Sequence, residues 1–284
     1  MKKIVIAADS GADLSKELIK EFDIKVIPLT VIMDNKAYLD GSIPIERVYE
    51  YYNRTKRIPS TSAANVDQYA AFFKKLQEEN PDSAIIYVAY SSNASATYQS
   101  AKIAVEGFEN IYIVDSLSVS GGFAAVTIKA AEIVAASAPD RDIEDIIKEI
   151  EGYVKAARTS FMPSTLEYLR AGGRVSNAAY LGASLLKIKP LISIENGYLI
   201  AAKKYRGPMK TVAEKYFREF VENNHLVKDV IYILSTVGLD PAILKNVTNI
   251  AKEMGFQKIR YTVCGCVISC HGGPGAIGVA GFTK

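Results

Sequence analysis

Four short apolar runs, separated by stretches long enough for helices, set the fold class of this chain. Residues 3–9 (KIVIAAD), 24–33 (IKVIPLTVIM), 83–90 (SAIIYVAY) and 111–116 (IYIVDS) are rich in β-branched and aromatic residues and are apolar almost without a break. Alternating polar and apolar residues would mark strands with one wet face, whereas continuous runs mark strands buried on both faces, as in parallel sheets. Between the second and third runs, NVDQYAAFFKKLQEEN (65–80) places Val66, Tyr69, Ala70, Phe73 and Leu76 at helical spacing behind Asn65, a favoured N-cap. Strands that alternate with such helices are joined by crossovers, so the first half reads as a mainly parallel α/β sheet flanked by helices.

The pattern changes after the charged helix of residues 140–157 (DRDIEDIIKEIEGYVKAA). IKPLISI (188–194) and YLIAAKKY (198–205) flank Asn196-Gly197, a hairpin signal because both turn residues tolerate positive φ. A strand at 229–236, a helix begun by Asp240-Pro241, and strands at 258–265 and 276–282 follow. The second half is thus expected to be a mixed α+β sheet domain. With 284 residues the chain has length for two domains, placed here at 1–157 and 158–284.

Composition narrows the function. The chain is 49% hydrophobic and 23% charged, as expected of a globular protein with ample core. Its 34 basic and 31 acidic residues are dispersed, without the basic block that a nucleic-acid-binding stripe requires, so no nucleic-acid partner is expected. The apolar run that opens the chain meets Asp9 and Ser10 too early for a signal peptide or an integral membrane segment. Cys264, Cys266 and Cys270, an odd number in one short segment, argue against a disulfide framework and for a reducing, cytoplasmic setting.

In an open parallel sheet, ligands bind beyond the carboxyl ends of the strands. Four loops there carry hydroxyls or carboxyls: Asp9 and Ser10, then Thr61 and Ser62, then Ser91, Ser92 and Ser95, then Asp115, Ser116 and Ser120. Helix capping explains many such residues. The doublets Thr61-Ser62 and Ser91-Ser92 exceed the needs of one cap, and spare hydroxyls beside helix N-termini suit a small anion such as a carboxylate. No phosphate-binding G-x-x-x-x-G-K-[ST] or dinucleotide G-x-G-x-x-G is suitably placed, and no cofactor is expected.

In the second half, Gly172-Gly173 reads as a helix C-cap or as part of a site. Arg174 and Arg206 have the planar fork that matches a carboxylate or an acidic partner, and each has the alternative of a structural ion pair. Cys264, Cys266, Cys270 and His271 lie within what reads as one strand and turn. Their spacing is no zinc pattern, so no metal is expected, and buried thiols are the simpler reading. A Ser, Thr or Cys nucleophile with His271 as base remains open, as does a core histidine. The glycines of HGGPG (271–275) favour a tight turn that presents the imidazole in a cleft.

Taken in order, DSGADLSKEL, PSTSAANVDQY, SSNASATYQSA, DSLSVSGG, YLRAGGRVS, KIKPLISIENGYL and CHGGPGAIGV resemble the DegV family along essentially the whole chain. The resemblance implies two α/β domains with a lipid site at their interface. It also implies a protein that binds a long-chain fatty acid without catalysis of its own, and hands the carboxylate to a separate ATP-dependent fatty acid kinase subunit for acyl phosphate formation. Carried over by motif, Thr61, Ser62, Ser92, Ser95, Arg174 and His271 are the implied ligand-binding residues, and Arg206 faces the kinase. The chain departs from the family pattern at Ala94 and Ala96, at the absence of proline after Thr61-Ser62, and at Cys270, where threonine is common. A self-contained hydrolase or transferase and a lipid-sensing regulator are the alternatives.

Overall fold

The structure, a computed structural model, describes residues 3–177, 179 and 188–284. The first sheet is four-stranded and fully parallel, in the order β2 (Lys25–Ile27), β1 (Ile4–Asp9), β6 (Ala84–Ala89), β7 (Ile111–Asp115). Every residue of β6 is buried, as its unbroken apolar sequence requires. The second run divides at Pro28, where the sequence reads as one strand. Lys25–Ile27 joins the parallel sheet, while Thr30–Met33 (β3) lies between β4 (Lys36–Leu39) and β5 (Ser60–Ser62) in a small antiparallel sheet. Proline has no N–H to give to a ladder, so a break there is physically natural.

The large sheet begins at Ala157, where the sequence pattern changes. Its order is β10 (Tyr198–Arg206), β9 (Ile188–Glu195), β8 (Ala157–Met162), β13 (Ile277–Phe282), β11 (Val230–Ser235), β12 (Lys258–Val263). All its pairings are antiparallel except β11 with β12. The hairpin β9–β10 turns on Asn196 and Gly197, with φ of 49° and 83°, as the sequence predicts.

Helices α3 (Val66–Glu79) and α4 (Thr97–Ala104) cover one face of the parallel sheet. Asn65 and Gln68 close a capping box at the start of α3. Helices α8 (Met209–Asn223) and α9 (Pro241–Glu253) cover the outer face of the large sheet. Between the two sheets lies α5 (Ser120–Ala136), backed by α6 (Ile143–Ala156). Phe123, Val126 and Ile128 of α5 share one core with Ile6, Ile86 and Val88 of the first sheet and with Tyr232, Leu234 and Ala280 of the large one. A helix apolar on nearly all sides belongs in such a position. The apolar stretch AAYLGASLLK (178–187) lies outside the described residues except for Ala179.

Cys266, Cys270 and His271 do not lie in a strand and turn. They belong to the helix α10 (Cys266–Gly272), which follows β12 and packs against α7 (Glu167–Gly172), the small sheet and α2 (Glu46–Thr55). Its N-cap, Gly265, has no side chain to satisfy the first N–H groups. Distant carboxylates do so instead: Asp13 accepts from Gly265 N–H at 2.7 Å, and Asp40 accepts from Cys266 N–H at 2.8 Å and Val267 N–H at 3.3 Å. A cap supplied from more than 200 residues away leaves no local helix signal.

Candidate functional site

A cavity of about 360 Å³ opens between the loops of the first half and the inner face of the large sheet. Tyr90, Phe161, Leu169, Leu199 and Leu234 give it apolar walls, while Thr61, Ser62, Ser95, Arg174 and His271 contribute polar groups. Its size falls within the range of small-molecule pockets, roughly 300–1,000 Å³.

His271 sits in the last turn of α10, and Gly273 and Gly275, with φ of 69° and 72°, then turn the chain into β13. Its Nε2 lies 2.9 Å from Thr61 Oγ1. Thr61 alternates along β5 to the inward side, in register with fully buried Val31. The imidazole Nδ1 is buried without a hydrogen-bond partner among the described residues. It fits because Gly172 lacks a side chain: a Cβ there would lie 2.6 Å from Nδ1. Burial, reinforced by the Arg174 guanidinium, pushes the imidazole pKa down to about 4, so the ring is neutral at pH 7. With the proton on Nε2, Thr61 accepts from the ring and its own O–H is free to donate to a carboxylate.

Arg174 follows the α7 C-cap. Gly173 adopts the left-handed conformation, φ 63°, and its N–H donates to Arg170 O at 3.1 Å, so the double glycine is a C-cap as well as the neighbour of the site. Arg174 anchors Nη1 on Gly172 O and lines the cavity. Ser95 lines it too, and its Oγ accepts from Thr97 O–H and from Thr97 N–H. Ser62 lies at the exposed edge of the cavity, donating to Ala63 O at 3.0 Å.

Ser92 and Arg206 lie elsewhere. Ser92 is exposed, off the cavity wall, and its N–H meets the Asp115 carboxylate at 3.3 Å. Arg206 is exposed at the end of β10, opposite Ile188. Several other loop residues serve the backbone: Asp9 accepts from Gly11 N–H, Tyr90 N–H and Tyr87 O–H, and Ser91 donates to Gly197 O at 2.8 Å. The capping reading holds for Asp9, which caps the short turn of helix at Ser10–Ala12, whereas Ser91 tethers the β9–β10 hairpin.

Two carboxyls beside the cavity, Asp13 and Asp40, were not among the sequence candidates. Asp13 accepts from Ser120 O–H, and Asp40 accepts from Ser10 O–H at 2.8 Å. Desolvation by burial pushes Asp13 up to about 8 and Asp9 up to about 7, and it raises Asp40 as well. Asp13 lies within the DSGADLSKEL motif, but the physical signal for both carboxyls, the unsatisfied start of α10, is visible only once the helix is known. The three thiols are buried, and burial raises all of them, Cys266 to about 11, which keeps them protonated. Among the described residues, no three His, Cys, Asp or Glu side chains converge as metal ligands would.

The family model described as "Uncharacterised protein, DegV family" matches residues 3–284. The chain belongs to the DegV family. A DegV domain-containing protein of Clostridium acetobutylicum is 30% identical to it, with all of both chains covered. A fatty acid-binding protein of Thermotoga maritima is 29% identical over 97% of this chain and 96% of its own. Among solved structures, DegV of Bacillus subtilis, a fatty acid binding protein, superposes with a TM-score of 0.83 at 27% identity and full coverage of both chains. The α/β architecture of this DegV chain, with its parallel sheet and its mixed sheet, is thus that of its family. No helix among its described residues is long and apolar enough to cross a membrane.

Proposed function

We propose that this DegV protein holds a long-chain fatty acid in the cavity, with the carboxylate at the polar end formed by Thr61, Ser95, Arg174 and His271. The observation that carries this reading is the Thr61–His271 pair, a neutral imidazole and a hydroxyl in the wall of a cavity lined largely by apolar side chains, with one guanidinium beside them. A carboxylate without partners is costly to bury, and this corner offers donors to it. The tail supplies most of the affinity: at about 0.8 kcal/mol per buried CH₂, some fifteen methylenes gain on the order of 12 kcal/mol before the costs of association. The fatty-acid-binding relatives in Thermotoga maritima and Bacillus subtilis support the same assignment.

In this reading the protein is a carrier without catalysis of its own. A separate ATP-dependent kinase subunit phosphorylates the presented carboxylate, with exposed Arg206 on the surface that meets it. A nucleophilic mechanism has less support. The thiols are held protonated, and no carboxylate among the described residues bonds His271 Nδ1 to orient it as a base.

Mass spectrometry of the purified protein, first native and then after organic extraction, tests the assignment. One long-chain fatty acid per chain is expected. A protein that is empty and takes up no added fatty acid refutes it.

A further inference from the structure

A second pair of polar side chains lines the cavity at the opposite end of α10 from Thr61 and His271. Ser120 and Cys264 are both in the wall, with Oγ and Sγ 3.5 Å apart. Cys264 immediately precedes the N-cap Gly265, and Asp13 accepts from both Ser120 O–H and Gly265 N–H, which fixes the pair at the start of the helix. His271 is in its last turn. From Gly265 to His271 a helical rise of about 1.5 Å per residue separates the two pairs by about 9 Å. Val267 and Ile268 keep the wall apolar between them.

Ser120 is 4% exposed and Cys264 5%, so a group that meets them comes through the cavity. The capacity of the pair defines that group. A serine hydroxyl donates once and accepts twice, whereas a thiol is a weak donor and a weak acceptor. Ser120 gives its hydrogen to Asp13, and its oxygen is left facing only the weak thiol contact.

A ligand hydroxyl that approaches both atoms donates to Ser120 Oγ and accepts from Cys264 S–H, so two hydrogen bonds replace one weak contact. A ketone or ether oxygen has no hydrogen to give and gains only the bond from the thiol. A second carboxylate would be buried there without a counter-charge, because the one cation in the described wall, Arg174, is anchored on Gly172 O beside His271. The pair therefore suits an alcohol. With C–C bonds of about 1.5 Å, an extended alkyl chain advances about 1.3 Å per carbon, so about 9 Å corresponds to roughly seven carbons.

We propose that the cavity selects a long-chain fatty acid bearing a hydroxyl near mid-chain, held by Ser120 and Cys264 while Thr61 and His271 hold the carboxylate. This names the class of ligand for the site proposed above and rests on that reading.

Displacement of a fluorescent fatty acid by octadecanoic acid and by its 9-hydroxy derivative tests the selection on the full chain and on two variants. The parent is expected to bind the hydroxy acid at least as tightly as the plain acid, since a hydroxyl buried without partners would lose about fivefold or more in affinity. In Ser120→Gly, where glycine suits the φ of 48°, the ratio of hydroxy-acid to plain-acid affinity should fall by at least about fivefold. Cys264→Ala should lower the same ratio by a smaller factor, and it carries the test if Ser120→Gly does not fold. Because a ratio is read, a general loosening of the cavity, which weakens both acids together, does not imitate the effect. A parent that binds octadecanoic acid but takes the hydroxy acid about fivefold or more weakly overturns the proposal and leaves the fatty acid site standing. A ratio that neither variant lowers also overturns it. Binding of neither acid refutes both readings.

Discussion

Thr61 and His271, 210 residues apart in the chain, lie 2.9 Å apart between Oγ1 and Nε2. Each comes from a small element: Thr61 from the three-residue strand β5, His271 from the seven-residue helix α10. Neither element is self-sufficient, so the geometry of the pair depends on the packing of the small sheet, α2 and α10 on one another.

Thr61→Val keeps the shape of the side chain and removes its hydroxyl. A hydrogen bond to a charged group is worth roughly 1.5–3 kcal/mol, so fatty acid binding should weaken at least about tenfold. The corresponding methyl ester should bind the variant and the parent alike. Displacement of a fluorescent fatty acid measures both, and an equal loss for acid and ester would place the carboxylate away from Thr61. In the proposed carrier role, adding Ser95→Ala should reduce phosphorylation by a kinase partner more than retention of the tail.

Gly172→Ala introduces a Cβ 2.6 Å from the present position of His271 Nδ1. Alanine is the better helix former, so α7 itself should persist while the imidazole is displaced. The His271 ring resonances should shift with little change in far-UV circular dichroism. Unchanged resonances would mean that the ring is not wedged against α7.

Asp40→Ala removes the acceptor for Cys266 and Val267 N–H. Loss of such a cap costs about 0.5–2 kcal/mol, and Asn, which keeps one acceptor oxygen, should recover part of it. Because His271 rides on the capped helix, fatty acid affinity should fall with stability in Asp40→Ala and recover with Asn. Urea titration and ligand displacement on the same samples check the pairing.

Stability should decline between about pH 6.5 and 8. Asp9 and Asp13 titrate near 7 and 8 in the folded protein, because burial disfavours their charged forms, and near 4 when unfolded. The stability conferred by their protonated forms is complete below about pH 4 and is lost as pH rises through the folded values. His271, held down to about 4, has the opposite effect, but only up to its unfolded value near 6.5. The urea midpoint followed over that window should fall, and it should fall less in Asp13→Asn. A flat profile would contradict the buried-acid assignment.

Arg206→Ala should leave bound fatty acid unchanged and reduce turnover when kinase and ATP are added. Loss of the lipid itself would move Arg206 from the proposed partner surface into the binding site.

Local signals carried much of the fold. Continuous apolar runs announced β1, β6 and β7, the Asn65 cap announced α3, and Asn196-Gly197 announced the β9–β10 hairpin. Long-range physics hid the rest. Whether the strand at residues 24–33 continues past Pro28 depends on which sheet each part joins, and α10 is capped by residues no local window contains. At the cavity, the family resemblance implied one headgroup for Thr61 and His271, but their direct hydrogen bond to each other was not legible. The serine loop looked uniform in sequence, yet in space it separates into Ser91 holding the hairpin, Ser92 facing water and Ser95 lining the cavity.

The placement of α5 bears on how the chain reaches this state during synthesis. One side of this apolar helix can be covered by β1 and β6 as soon as the first half has emerged, but its other side waits for β11 and β13, which are made near the end. Until then the nascent protein carries an unprotected greasy flank, a natural target for a holding chaperone and for aggregation when none is at hand. Variants that delay or weaken the last strands should therefore show their damage first as lower soluble yield.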